Sequence, residues 1–177
     1  MTILFMGYMG SGKSTLGRLT AAEIGYDFVD FDALIEEGEG NTVRRIFELK
    51  GEIYFRKLEA VYLHKVLHLK NTIVSLGGGT PCYGNNLEVI KQAGATTIYV
   101  NVPVMELTSR LFKARMHRPV LQHQETREKL EEFVRKHLFE RGFYYNQADY
   151  KIFYTGQAEM EMVQEIKSIL FKDGTVA

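Results

Sequence analysis

Short apolar runs alternate along the chain with longer stretches whose apolar residues recur every three or four positions, and this alternation predicts strands separated by helices. TILFM at 2–6 is continuously apolar and stops at Gly7, as a short buried strand does. From Lys13 to about Ile24 the positions of Leu16, Leu19, Thr20 and Glu23 are helically spaced, with Gly25 as the stop. YDFVDF at 26–31 predicts a second strand ending among carboxylates, and a short helix from Ala33 to Glu37 should end at Gly38 or Gly40. Asn41 or Thr42 can cap a helix that runs through Val43, Ile46 and Phe47 to Lys50. Gly51 interrupts it. From Glu52 onward, Phe55, Leu58, Glu59, Tyr62, Leu63, Val66 and Leu67 trace a long helix with one wide apolar face.

TIVSL at 72–76 is a third strand running into three glycines, Asn85 to Gln92 a short helix, and TTIYVNV at 96–102 a fourth strand. Pro103 occupies a first-turn helical position ahead of Leu107 and Leu111. Residues 112–123 lose the pattern and become polar and basic, and the helix resumes near Thr126 with Leu130, Phe133, Val134 and Leu138 on one face. YKIFY at 150–154 predicts a fifth strand, and Val163, Ile166, Ile169 and Leu170 mark a closing helix. Strands regularly alternating with helices mean a mostly parallel sheet covered on both faces. The expectation is one α/β domain with five core strands, whose order periodicity alone does not reveal.

Composition narrows the function classes. The 177 residues are 45% hydrophobic, enough for one buried core and too few for two comfortable domains. Twenty-two basic residues balance 22 acidic ones, which argues against a broad nucleic-acid-binding surface. A single cysteine, Cys82, excludes an internal disulfide or a cysteine metal cluster. No apolar stretch reaches the roughly 20 residues of a membrane span and no leader is evident, so the expected setting is the cytoplasm.

Chemistry enters at GYMGSGKST, residues 7–15, where Gly7, Gly12, Lys13 and Ser14 complete a G-x-x-x-x-G-K-[ST] phosphate loop between a strand and a helix. Glycines let the backbone aim several N–H groups at one phosphate, reinforced by the helix N-terminus. Lys13 can reach the β- and γ-phosphates, and the Ser14 hydroxyl can ligate Mg²⁺. No later strand ends in the apolar-run-then-Asp pattern of large ATPases, so Asp30 and Asp32 are the available carboxylates. Alternation puts the two on one face if the strand continues. One could orient metal-bound water while the other meets an acceptor hydroxyl.

Further along, Arg56 and Glu59 lie three apart on a helix and can pair, which would hold Arg56 as a rigid two-pronged donor for a small carboxylate. A surface ion pair is the plainer meaning. Gly77, Gly78 and Gly79 are costly in chain entropy and imply close backbone approach or positive φ, at a strand end where small ligands bind. Arg110, Lys113, Arg115 and Arg118 lie in a segment without an acid, the composition of a flap closing over phosphates or of an ordinary basic loop. Arg141 could be a second donor to an anionic substrate, or simply suit its helix dipole.

Taken together, the motifs resemble those of the shikimate kinases, over roughly residues 3–155. The matching pieces are GYMGSGKST at 7–15, FVDFD at 28–32, FRKLE at 55–59, LGGGT at 76–80, RPVL at 118–121 and RGFYYNQAD at 141–149. The resemblance implies a nucleoside-monophosphate-kinase-like fold with sheet order 2-3-1-4-5, an acceptor-binding subdomain at 31–62 and a lid at 110–124. It implies transfer of the ATP γ-phosphoryl to the 3-hydroxyl of shikimate, with Mg²⁺, by a monomer on the route to chorismate and the aromatic amino acids.

Residue by residue, Gly10, Ser11, Gly12, Lys13, Ser14 and Thr15 match the nucleotide loop, with Ser14 and Asp30 on the metal side. Asp32 matches the acid that meets the acceptor hydroxyls. Arg56 and Arg141 match the grip on the shikimate carboxylate, Gly78 and Gly79 match backbone contacts to substrate, and Gly77 belongs to the same substrate-binding turn. Arg118 matches the lid arginine on the phosphates and Arg110 lies near the adenine-facing arginine. Lys13, Asp32 and Arg118 form the implied catalytic set. Thr80-Pro81-Cys82 departs from the small apolar pair common after the glycines, RPVL replaces the commoner RPLL, and Cys82 leaves open a thiol sensitive to alkylation. His117 and His123 carry no ligand cluster. The rival readings are a kinase of another carboxylated polyol such as gluconate, which should not need Arg56 and Arg141 with the triple glycine, and a nucleotide-dependent switch that ignores small acceptors.

Overall fold

The computed structural model describes residues 1–114, 126–172, 174 and 176. Five strands, β1 (Thr2–Met6), β2 (Asp27–Asp30), β3 (Thr72–Ser75), β4 (Thr96–Asn101) and β5 (Tyr150–Phe153), form one sheet in the order β2-β3-β1-β4-β5. Every pairing is parallel, so the order implied by the resemblance holds. All residues of β1 and β3 are buried, and because successive side chains point to opposite faces, both faces of the sheet centre must be covered. The cover comes from α1 (Lys13–Ile24), α2 (Phe31–Glu39), α3 (Val43–Leu67), α4 (Asn86–Gln92), α5 (Val104–Ala114), α6 (Arg127–Tyr145) and α7 (Glu159–Lys172). Helix α1 packs on β2 and β3 and against α7, while α5 packs on α6 and α2 on α3. Among the described residues no helix is long and apolar enough to cross a membrane.

Element ends follow local chemistry. Gly25 closes α1 in the left-handed conformation (φ 71°), as a C-terminal glycine should. Thr42 rather than Asn41 caps α3, accepting from the Arg45 amide, and Thr126 caps α6 by accepting from Lys129. At Gly51 (φ 78°, ψ 171°) the backbone leaves helical geometry, so α3 is two helical segments meeting at a kink, as the expected interruption there implies. Helix α2 starts two residues early and runs through Gly38 to a left-handed Gly40. Pro103 precedes α5, its carbonyl accepting from Leu107. A 3-10 turn at Thr80–Cys82, which the periodicity did not reveal, follows the triple glycine.

One expectation about the carboxylates is corrected. Strand β2 ends at Asp30, which turns to cap α2 by accepting from the Ala33 amide; Asp32 lies in the first turn of that helix. Strand alternation therefore does not align the pair. The helix start does, by bending the chain so that both line one cavity.

Candidate active site

The site lies beyond the C-terminal ends of β1, β2 and β3, where open parallel sheets bind ligands. Leaving β1, the chain passes through Gly7, Gly10 and Gly12 with φ of 147°, 80° and 92°. A side chain at Gly7 would also meet the Val100 carbonyl, 2.7 Å from its Cβ. The turn delivers Lys13 to the start of α1, buried, with its Nζ 3.1 Å from the Tyr8 carbonyl. Ser14 Oγ donates to Asp30 Oδ2 at 2.6 Å and lies 3.1 Å from Ser75 Oγ. These are hard oxygen donors beside a phosphate loop, few in number, which fits Mg²⁺: that ion keeps several waters and takes its other ligands from phosphate oxygens. Among the described residues there is no cluster of three His, Cys, Asp or Glu that would suit a fully protein-ligated metal. A cavity of about 300 Å³, lined by Lys13, Ser14, Thr15, Asp30, Asp32 and Gly77 among others, occupies this end.

A second cavity of about 800 Å³ adjoins it, lined by Arg56, Glu59, Arg141, His137 and the three glycines among others. Met9, Asp32, Gly77 and Gly78 line both cavities, so Asp32 stands at their junction. Its carboxyl keeps a water-facing side through the cleft but is otherwise enclosed by protein. That desolvation, with the nearby Asp30 carboxylate, raises its pKa to about 6, against the opposing pull of Lys13.

The acceptor-side arginines are held differently. Arg56 Nη1 donates to Glu59 Oε2 at 2.6 Å, and Glu59, 1% exposed, also accepts from Thr80 Oγ1 at 2.5 Å. The pair is thus largely buried and networked, and the surface-ion-pair meaning is set aside. Arg141 projects from α6 with its guanidinium 5.6 Å from the Tyr8 ring centroid, beside the phosphate loop. The three glycines have ordinary negative φ, so close approach, at Gly77 and Gly79, is what calls for glycine in this turn. A Cβ at Gly77 would lie 2.8 Å from both Asp32 Oδ1 and Thr80 Oγ1, and one at Gly79 would lie 2.8 Å from Arg56 Nη1. At Gly78 the nearest atom would be 3.4 Å away, ordinary contact.

Several residues that the motifs did not single out complete the site. Tyr145, fully buried, donates its hydroxyl to the Gly78 carbonyl; burial raises its pKa so far that it stays protonated. Asp149, away from both cavities, ties the start of β4 down by accepting from the Thr97 amide and hydroxyl at 2.8 and 2.7 Å, a structural part of the RGFYYNQAD piece. Tyr8 pairs with His137 Nδ1 at 3.1 Å, linking the phosphate loop to α6. Glu52, one helical turn before Arg56, takes its Nε and Nη2; that i,i+4 spacing was readable in the sequence. Arg110 lies along the other side of the phosphate loop, Nη1 3.3 Å from the Gly10 carbonyl, with its guanidinium 4.6 Å from the Tyr154 ring centroid.

Cys82 lines the larger cavity, but desolvation raises its thiol to about 11, so at neutral pH it is not the thiolate that alkylation needs. Arg115, Arg118 with RPVL at 118–121, His117 and His123, and the lid beyond Ala114, fall outside the described residues.

Comparison with known proteins agrees with this geometry. The sequence model of the family described as "Shikimate kinase" matches residues 9–171. A shikimate kinase of Flavobacterium psychrophilum is 41% identical over 170 residues, covering 96% of this chain and 98% of its own. The crystal structure of a shikimate kinase from Bacteroides thetaiotaomicron superposes with a TM-score of 0.89 at 34% identity, covering 96% of this chain and 98% of that one. A shikimate kinase from Acinetobacter baumannii in complex with shikimate gives a TM-score of 0.87 at 32% identity, with 97% and 93% covered.

Proposed function

The chain belongs to the shikimate kinase family, and from that premise we propose that it transfers the γ-phosphoryl of ATP to the 3-hydroxyl of shikimate, releasing ADP and shikimate 3-phosphate. The observation that carries this reading is the pair of adjoining cavities that meet at Asp32, Gly77 and Gly78. One end offers the phosphate loop; the other offers two arginines to a carboxylate. A gluconate kinase would share the phosphate loop and could use a carboxylate grip, so family membership is what favours shikimate over gluconate; a switch protein has no use for the second cavity.

In the proposed reaction the acceptor carboxylate lies on Arg56 and Arg141, a charge-assisted grip that turns its ring so that one hydroxyl reaches Asp32. The hydroxyl oxygen forms a bond to the γ-phosphorus as the bond to the bridging β,γ-oxygen breaks, and ADP departs with that oxygen. Asp32 accepts the hydroxyl proton; its raised pKa suits it to hold that proton at near-neutral pH. Lys13 and the loop amides neutralise the equatorial phosphoryl oxygens, and Arg118 joins them from the lid. Ser14, with Asp30 directly or through water, would hold Mg²⁺, which supplies charge neutralisation on the β- and γ-phosphates when bound.

Arg110 would face the nucleotide base. Residues 31–62 would serve as the acceptor-binding part and 110–124 as the lid. The reading carries with it a cytoplasmic monomer acting on small molecules.

A coupled ADP-release assay with Mg·ATP, comparing shikimate, quinate, gluconate and no acceptor, tests it. Strong turnover with shikimate alone is expected. Equal slow release in every tube would sink the acceptor-kinase reading, and turnover with another polyol would keep the chemistry while replacing the substrate.

A further inference from the structure

The wall behind Arg56 has no counterpart in the motifs. A third cavity of about 530 Å³ lies against the acceptor cavity, lined by Ile53, Lys57 and Asn86 among others, and the two share Glu52, Arg56 and Tyr83. These three side chains are therefore a partition, and their contacts show how it is built. The Arg56 guanidinium carbon sits 3.7 Å from the Tyr83 ring centroid, well inside stacking range. The Tyr83 hydroxyl donates to Glu52 Oε1 at 2.9 Å, the same oxygen that accepts from Arg56 Nε at 3.2 Å and Nη2 at 2.9 Å. Glu59 takes Nη1 from the buried side. Of the five guanidinium N–H groups, these three bonds leave two for a further acceptor among the described residues.

The triad explains a problem of charge. Arg56 carries one positive charge and faces two carboxylates, so a substrate carboxylate would compete with Glu52 for the same donors. Tyr83 resolves the competition by geometry. Its ring restricts the guanidinium plane, and its hydroxyl gives Glu52 a further donor on the Nε side of Arg56. Both hydrogen bonds hold Glu52 ionised, below its ordinary range.

We propose that Tyr83 is a positioning residue for the acceptor's carboxylate, its ring and hydroxyl together fixing Arg56 so that the two remaining N–H groups face the acceptor cavity. This rests on the acceptor-kinase reading above and adds a residue to it. Tyr83 acts through Arg56 and takes no part in the phosphoryl transfer, so its loss should weaken acceptor binding while leaving nucleotide binding and turnover alone.

Steady-state kinetics on the full chain with Mg·ATP and shikimate test it, comparing wild type, Tyr83→Phe, Tyr83→Leu and Tyr83→Ser. At 36% exposure Tyr83 is outside the core, and thermal unfolding checks each variant's fold. Tyr83→Leu and Tyr83→Ser are expected to raise the shikimate KM about five- to tenfold, with kcat and the ATP KM within about twofold of wild type. Tyr83→Phe keeps the stack and should recover most of the loss, to within about threefold of wild type. An unchanged shikimate KM in folded Leu and Ser variants overturns the proposal. So does a parallel fall in kcat with a rise in both KM values, the mark of general disruption. No shikimate-dependent ADP release from wild type would instead overturn the reading of the site, and the proposal with it.

Discussion

The two halves of the site are built in opposite ways. The nucleotide end is a run of nine residues, Gly7 to Thr15, whose backbone makes the phosphate cradle and whose lysine and serine follow directly. The acceptor end has no such run. Arg56 and Glu59 come from α3, Asp32 from α2, Gly77 to Gly79 from the turn after β3, and Arg141 from α6. Backbone recognition needs only local φ values that glycine permits, so it can be written contiguously. Side-chain recognition of a small ring from several directions needs donors on elements that meet only when folded. Damage should differ accordingly: at the nucleotide end it removes catalysis outright, whereas at the acceptor end it first shows as lost affinity and lost stability.

The sharpest test of that contrast is Lys13→Ala. It should lower kcat/KM by about a thousandfold or more, with the acceptor's own binding little changed, since Lys13 acts where charge develops in transfer. Intact shikimate binding by calorimetry with turnover lost would match; turnover kept would place the phosphates elsewhere.

Asp32 belongs to both cavities and should be nearly as costly. Asp32→Asn is expected to lower kcat by about a hundred- to a thousandfold. In wild type kcat/KM should fall as pH drops through about 6, because protonating Asp32 removes the proton acceptor. The stability sign is the reverse. A carboxyl whose folded pKa is raised stabilises the fold most below its unfolded value of 3.8 and loses that contribution as pH rises through about 6. Asp32→Asn should therefore flatten the stability change across that window, read as the unfolding midpoint against pH.

Arg56→Ala isolates the acceptor end. It should raise the shikimate KM by about a hundredfold, the worth of a charge-assisted pair. It should also lower stability by about 3 kcal/mol or more, because the buried Glu59 loses its cation and keeps the Thr80 hydroxyl as donor. Chemical denaturation reads the second effect; a KM shift with no loss of stability would show that Glu59 finds another partner.

Gly77→Ala probes backbone proximity rather than charge. The new Cβ must displace Asp32 Oδ1 or Thr80 Oγ1, so kcat/KM should fall about tenfold to a hundredfold. Gly78→Ala, with 3.4 Å of room, should cost less. Equal losses would mean that the turn moves as a unit.

The smallest effect lies away from both cavities' chemistry. Thr42→Ala removes the cap of α3 and should cost about 1 kcal/mol in denaturation with shikimate kinetics unchanged. A changed shikimate KM would show that the start of α3 sets the position of Arg56.

Much of this molecule was legible before it folded. All five strands lie within the runs that announced them; β1 and β3, buried throughout, carry no charged residue, whereas the edge strands β2 and β5 are partly exposed and admit Asp and Lys. Helix α1 matched from Lys13 to Ile24, bounded by Gly12 and Gly25, both in conformations that favour glycine. The phosphate loop and the Arg56–Glu59 pair were local spacings and could be read as such. The alignment of Asp30 and Asp32 could not, since it depended on β2 stopping at Asp30 rather than running on.

Nor could periodicity reveal the 2-3-1-4-5 strand order; the likeness to a family supplied it, and pairing between distant segments decides it. The same holds for Tyr145 under Gly78, Tyr8 against His137, and Tyr83 on the face of Arg56. Each joins residues separated along the chain, and nothing in either residue's neighbourhood announces the other. Sequence alone determined which segments are strands and helices and where phosphate can be bound, because those follow from burial period and local backbone freedom. Only the tertiary structure decided which side chains share a cavity and which hold a guanidinium in place, because those distances are set when the helices close over the sheet.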